Sequence, residues 1–294
     1  MSPPSVLITF IRHGESTDNL RTVWAGWKDA PLSNHGMNQA RAMGESLANT
    51  HFTAIYASPL LRAYTTAQAL YDQQDPKPPF TSSLLLREQH FGIAEGKPWS
   101  WNQEPGLSLE EHFAKDIYPV LHGDHERFPE GESLYDLGQR ANQAIEELVL
   151  PHVREAAREG KKGVHIALVS HGLCISQLVS QLLKRNADGI DKGDYRGLLN
   201  TAWTRVTVDV KGSKEGEPIE FSDNDTPPLV VKVTDINRHA HIDNIKRQKG
   251  GIGNSAYDPK QADIRAFFGG KTDAEAHSQS NAIDEVGVEI EPSN

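Results

Sequence analysis

Val6-Leu7-Ile8-Thr9-Phe10-Ile11 runs straight into Arg12-His13-Gly14-Glu15-Ser16. The first part, residues 5–11, reads as a buried strand: a short apolar, β-branched run suits a strand covered on both faces. The second part reads as the turn that ends it, carrying a guanidinium and an imidazole side by side. The arrangement recurs downstream, where Val164-His165-Ile166-Ala167-Leu168-Val169 leads into Ser170-His171-Gly172. If the two strands are parallel neighbours, both turns reach one sheet edge, where open α/β folds bind ligands.

Between these strands the pattern alternates in the same α/β manner. Ser33 precedes a helical stretch from about residue 36 to 48, and Ala54–Ala57 reads as a second short strand. Ser58-Pro59 has the form of an N-cap serine followed by proline at the first helical position. Leu84-Leu85-Leu86 reads as a third strand ending at Arg87-Glu88, and residues 92–130 as an excursion over the active-site edge. Ser133 opens a helix whose Leu134, Leu137, Ala141, Ile145 and Leu148 keep helical spacing, and another helix spans about 173–183. Ala202–Val210 and Leu229–Val233 alternate like strands. From 237 to 294 the chain is polar and reads as an extension of the 1–236 domain, partly disordered or strapped onto it.

With 40 acidic against 30 basic residues the net charge is −10, the wrong sign for a non-specific nucleic-acid surface. An anionic substrate then needs a local basic pocket. Cys174 is the only cysteine, so no intrachain disulfide can form. Met1-Ser2-Pro3-Pro4 lacks the basic and apolar regions of a secretory signal, and no run is long enough to span a membrane. The expectation is a soluble cytoplasmic protein, with the nucleus as the second compartment.

Phosphoryl transfer to a side chain needs a nucleophile, positive charge around the equatorial oxygens and a proton for the leaving oxygen. His13 fits the first role, and Arg12 and Arg62 offer planar forks for phosphate oxygens. His171 adds a donor when protonated, and the helix starting at Gly172 adds backbone N–H groups and a favourable dipole. Glu88 is the candidate acid and base, with Glu95 and Glu15 as alternatives, and a crowding phosphate is expected to raise its pKa. These charges remove the need for a metal or other cofactor. His122-Gly123-Asp124-His125 alone is a weak metal pattern.

Arg12-His13-Gly14-Glu15-Ser16-Thr17-Asp18-Asn19 resembles the RHGxSxxN signature of the histidine phosphatase superfamily, in the branch that includes cofactor-dependent phosphoglycerate mutase. Gly26–Ser33, Ser58–Ala63, Arg87-Glu88 with Phe91-Gly92, and Ser170–Gly172 follow in that family's order, so the resemblance covers about residues 5–210. It implies a three-layer α/β/α sandwich on a mostly parallel sheet. It also implies that His13 is phosphorylated, that Arg12, Asn19, Arg62 and His171 bind phosphate, and that Glu88 donates the proton.

Two departures bear on the substrate. Ala25 stands where the mutases carry serine or threonine. Between Glu88 and Glu132 there is no Arg-Arg pair, only Lys97, Lys115 and Arg127. Pro129–Ser133 instead resembles the PxGES segment of the family's phosphatases. The expected activity is therefore a metal-independent phosphatase for a small phosphorylated substrate. A phosphoglycerate mutase is the alternative, and a non-enzymatic interaction protein the reading from a different class.

The remaining histidines read as surface or structural, with His90 bordering the pocket. Trp24, Trp27, Trp99 and Trp101 are candidates for its entrance, and Cys174 reads as a packed small residue. In the tail, Gln261, Ile264, Phe267 and Phe268 form a QxxΦxxFF pattern that resembles the motif docking proteins on DNA sliding clamps. A strap folding back onto the enzyme's own surface is the favoured reading of the same residues.

Overall fold

The computed structural model describes residues 5–189, 193, 195–222 and 225–260. In chain order the elements are β1 (Val6–Arg12), α1 (Asn34–Ser46), β2 (Ala54–Ala57), α2 (Leu61–Asp72), β3 (Phe80–Ser82), β4 (Trp99–Ser100), α3 (Leu109–Ala114) and β5 (Tyr118–Pro119). Then come α4 (Leu134–Ala144), α5 (Leu150–Glu159), β6 (Val164–Ser170), α6 (Gly172–Leu183), β7 (Trp203–Val210) and β8 (Leu229–Arg238). Six strands form one sheet in the order β3-β2-β6-β1-β7-β8. The first four are mutually parallel; β7 runs antiparallel to β1, and β8 antiparallel to β7.

The pleat sorts side chains between two helical layers. Val6, Ile8 and Phe10 of β1, with Ile166 and Leu168 of β6, face the cluster built from α4, α5 and α6. Ile11, Ala167 and Val169 face Met43 of α1 with Ala67 and Leu70 of α2. Apolar side chains on both faces make the central strands continuous hydrophobic runs, as the sequence pattern required. The three-layer sandwich on a mostly parallel sheet is therefore present.

Three local readings change. Leu84–Leu86 is a 3₁₀ turn capped by Ser83, with only Leu86 buried; Phe80–Ser82 is the strand that pairs with β2. An apolar triplet does not specify a strand unless a sheet edge is free to take it. Helix α2 starts two residues beyond Pro59, and its first N–H, at Leu61, donates to Asp29 Oδ1 at 2.6 Å. Ser58 is thereby free for another partner. The helix opened by Ser133 does form, with a reciprocal Ser133–Asp136 capping box. It widens to a π turn at Ile145–Val149 just before Pro151, which lacks the N–H to continue the ladder.

The main compact unit extends to Tyr257, so residues 237–257, assigned by composition to the extension, belong to it. Tyr257 N donates to Leu32 O at 2.8 Å, and its ring packs by Leu32, Met37, Ala40 and Ala69. The Gln261–Phe268 pattern lies outside the described residues. Among those described, no helix is long and apolar enough to cross a membrane.

Candidate active site

Strands β1 and β6 are direct neighbours with Arg12 opposite Ser170, and His13 N donates to Ser170 O at 3.0 Å. That pairing sets the His13 and His171 rings with centroids 5.1 Å apart. The loop after β1 lies against the start of α1: a Cβ on Gly14 would meet Gly36 O at 2.5 Å, and one on Gly36 would meet Glu15 O at 2.0 Å. Only glycines permit this approach.

Both imidazoles are buried, His13 at 4% and His171 at 0% exposure. Burial first, then the guanidinium of Arg62, holds both rings well below the ordinary histidine pKa; Arg12 adds to this in each case. These shifts favour neutral imidazoles at both positions, so any hydrogen bond from His171 to a ligand comes from its neutral ring N–H. His13 Nδ1 lies 2.7 Å from Gly14 O. Because a carbonyl only accepts, Nδ1 carries the proton and Nε2 carries the lone pair. His171 Nε2 lies 2.8 Å from Ser58 Oγ, which already accepts from Leu60 N at 3.3 Å. The Ser58 hydroxyl proton can be given to Nε2, and in that arrangement the His171 proton sits on Nδ1.

Arg62, 1% exposed in the first turn of α2, gives its two terminal nitrogens to Lys28 O and Gly26 O at 3.1 and 2.7 Å. Gly26 adopts φ +46°, and a Cβ there would fall 2.0 Å from Glu95 Oε1. Arg12 donates through Nη1 to Leu198 O. Burial lowers the pKa of both guanidiniums, and Glu88 opposes that effect in each. Arg12 Nε, Arg62 Nε and His171 Nδ1 are buried and have no partner among the described residues. Buried donors are otherwise almost always satisfied, so this trio marks a place for an acceptor-rich ligand.

Glu88 sits over the N-terminus of α6. Its oxygens accept from Cys174 N at 3.0 Å, Leu173 N at 3.2 Å and Gln89 N at 3.0 Å. A Cβ on Gly172 would lie 3.9 Å from Arg12 Nε and 4.0 Å from Glu88 Oε2, so these groups surround one point. Glu95 is engaged elsewhere, accepting from Trp27 N and Phe91 N. Glu15 is held by Ser33 and Arg247.

Six of the seven residues singled out by sequence converge: Arg12, His13, Arg62, Glu88, His171 and Gly172. Asn19 stands apart on an exposed turn, its Oδ1 accepting from Ser16 N at 3.0 Å. Sequence reasoning missed Arg140. Its guanidinium forks onto Glu132 at 2.9 and 2.7 Å and donates to the carbonyls of Leu85, Arg87 and Glu88 at 2.7–2.9 Å. No local signal marks an arginine in mid-helix as the support of a loop fifty residues earlier. Trp27 Nε1 adds a bond to Glu88 O at 2.6 Å, while its ring stacks with His90 and carries the Arg87 guanidinium over it. The Cys174 thiol, wholly buried, is pushed up to about 11 by burial and stays protonated.

The family model of the histidine phosphatase superfamily (branch 1) matches residues 8–215. A 2,3-bisphosphoglycerate-dependent phosphoglycerate mutase of Gloeobacter violaceus is 28% identical, across 63% of this chain and 80% of its own length. A probable phosphatase of Schizosaccharomyces pombe is 26% identical, across 87% of this chain and 78% of its own. A mycobacterial glucosyl-3-phosphoglycerate phosphatase structure shares the fold with TM-score 0.56 at 22% identity, covering 79% of this chain and 98% of that one.

Proposed function

This chain belongs to the histidine phosphatase superfamily, and from that premise we propose that it hydrolyses phosphomonoesters through a phosphohistidine on His13. The observation that carries the reading is the trio of buried nitrogens without a partner among the described residues, Arg12 Nε, Arg62 Nε and His171 Nδ1, beside a His13 whose pKa is held low. A phosphoryl group offers three equatorial oxygens and negative charge to that set.

In this reading Nε2 of His13 attacks phosphorus while the ester P–O bond breaks. The Glu88 carboxyl, acting as the acid, gives a proton to the leaving oxygen, and the alcohol departs. Glu88, now a carboxylate, takes a proton from water as that water attacks phosphorus. The N–P bond breaks, inorganic phosphate leaves and His13 is restored. Arg12, Arg62 and His171 hold the oxygens throughout, with Asn19 at the rim. The arginines supply the charge stabilisation, so the proposed mechanism is metal-independent. Both mutases and phosphatases stand among the relatives. Hydrolysis is favoured here because residues 89–131 carry no arginine pair for a second anionic group.

The test is phosphate release from a panel of monoesters in the presence of EDTA, with His13→Ala run beside the wild type. Release that survives EDTA and is lost in the variant is the expected outcome. Turnover of phosphoglycerate only after priming with 2,3-bisphosphoglycerate would establish a mutase instead.

A further inference from the structure

An open cleft of about 660 Å³ borders the site on the side of Glu88. Its lining includes Gln89, the residue after Glu88, and Leu173, whose N–H bonds the Glu88 carboxylate. It also includes Ala25, which adjoins Gly26, the residue whose carbonyl holds Arg62. The group that protonates a leaving oxygen stands beside it, so the organic part of the substrate extends toward this cleft. The walls there are aromatic: Trp24 packs on Phe91 and Phe128 at 4.6 and 5.2 Å between centroids, and Trp99 meets Trp101 edge-on at 4.8 Å. Trp101 is 71% exposed, a large apolar side chain standing at the cleft in water. Fixed charges on the lining are two carboxylates, Asp124 and Glu126, against one guanidinium, Arg196, which has its own interactions.

We propose that this cleft takes an uncharged, ring-sized apolar leaving group. The substrate class is then the phosphate monoester of a bulky aromatic or alicyclic alcohol, not an ester bearing a second anionic group. The proposal rests on the phosphatase reading above. Aromatic walls reward burial of a ring and stack on its faces. Asp124 and Glu126, the latter bonded to its own loop through His122 N and Gly123 N, leave negative charge on the lining that disfavours a second phosphate or carboxylate.

Two measurements separate this proposal from the reading beneath it. The first compares kcat/KM for benzyl phosphate, ethyl phosphate and 3-phosphoglycerate, alkyl esters chosen so that leaving-group acidity does not dominate. Benzyl phosphate is expected to exceed both others at least tenfold. Trp101→Ala should lower its kcat/KM about fivefold, mainly through KM, and so narrow its advantage over ethyl phosphate. The second measures calorimetric binding of two non-hydrolysable probes, benzylphosphonate and methylphosphonate, with a preference of about tenfold for the former that Trp101→Ala reduces. Equal binding of the two phosphonates, or 3-phosphoglycerate matching benzyl phosphate, overturns the cleft proposal while hydrolysis stands. Preferential phosphonate binding without phosphate release from any ester overturns the phosphatase reading and leaves the cleft assignment in place.

Discussion

Arg247, beyond the last strand, closes a two-pronged ion pair on Glu15, two residues after His13, with Nη1···Oε1 at 2.8 Å and Nη2···Oε2 at 2.6 Å. The pair ties the returning segment to the loop after β1, beside the Ser33–Ala256 bridge and the Asn34 N–Ser255 O bond.

Burial of Glu15 works to raise its pKa but is outweighed by its bonds from Arg247 and Ser33, which leave it lowered. Arg247→Ala removes that compensation from a carboxylate whose side chain is only 12% exposed. Because Arg247 itself is partly in water, the expected loss at pH 7 is about 1–2 kcal/mol. A depressed carboxylate stabilises the fold above its unfolded pKa, and that contribution is lost as pH falls through the folded one. The gap between wild type and variant in urea titrations should therefore close below about pH 4. A gap that is constant with pH would remove Glu15 from the explanation.

Arg140 acts on Glu88 through the loop backbone. Arg140→Met removes the ion pair to Glu132 and the guanidinium bonds to three loop carbonyls, leaving Glu132 with His90 N and Glu88 O with Trp27 Nε1, at a cost of about 3 kcal/mol. As Glu88 loses its placement, kcat is expected to fall roughly tenfold to a hundredfold with little change in KM. Stopped-time kinetics at saturating substrate decide this, and a pure KM effect would mean that the loop positions substrate instead.

A Ser58 hydroxyl donating to Nε2 is expected to hold His171 in the tautomer that exposes Nδ1–H to the site. Ser58→Ala frees the proton to move to Nε2, so competitive inhibition by inorganic phosphate should weaken about tenfold, the worth of one buried hydrogen bond. Histidine ¹⁵N chemical shifts report the tautomer directly; an unchanged Nδ1–H signature in the variant would show that Ser58 is not what fixes it.

His165 makes folding acid-sensitive. Burial beside Phe52, helped by the Arg205 guanidinium, lowers its pKa to about 4, and its Nε2 lies 2.8 Å from Thr9 Oγ1. The unfolded chain then binds a proton that the folded chain refuses, so stability falls as pH drops from about 6.5 toward 4, by about 3 kcal/mol in all. His165→Gln should flatten that part of the stability–pH curve. His13 and His171 push in the same direction, so a slope remains in the variant.

The central strands and their turns were legible in the chain because they rest on local information. A buried parallel strand is a continuous apolar run, and the polar residues that end it mark the sheet edge; the β1–β6 register then brings His13 and His171 together. Arg62 and Gly172 were equally legible as first-turn residues of helices following such strands. What the chain did not show were pairings between distant segments. Ser58 had the local form of a cap, yet Asp29 caps α2 and Ser58 bonds His171. Leu84–Leu86 had strand composition, yet β2 takes Phe80–Ser82 at its edge. Arg140 and Arg247 carry no local mark, because a guanidinium's role depends on which carboxylate and carbonyls packing brings within reach. Periodicity records which face of an element is buried, whereas the partner across that face is chosen only when the whole chain has collapsed.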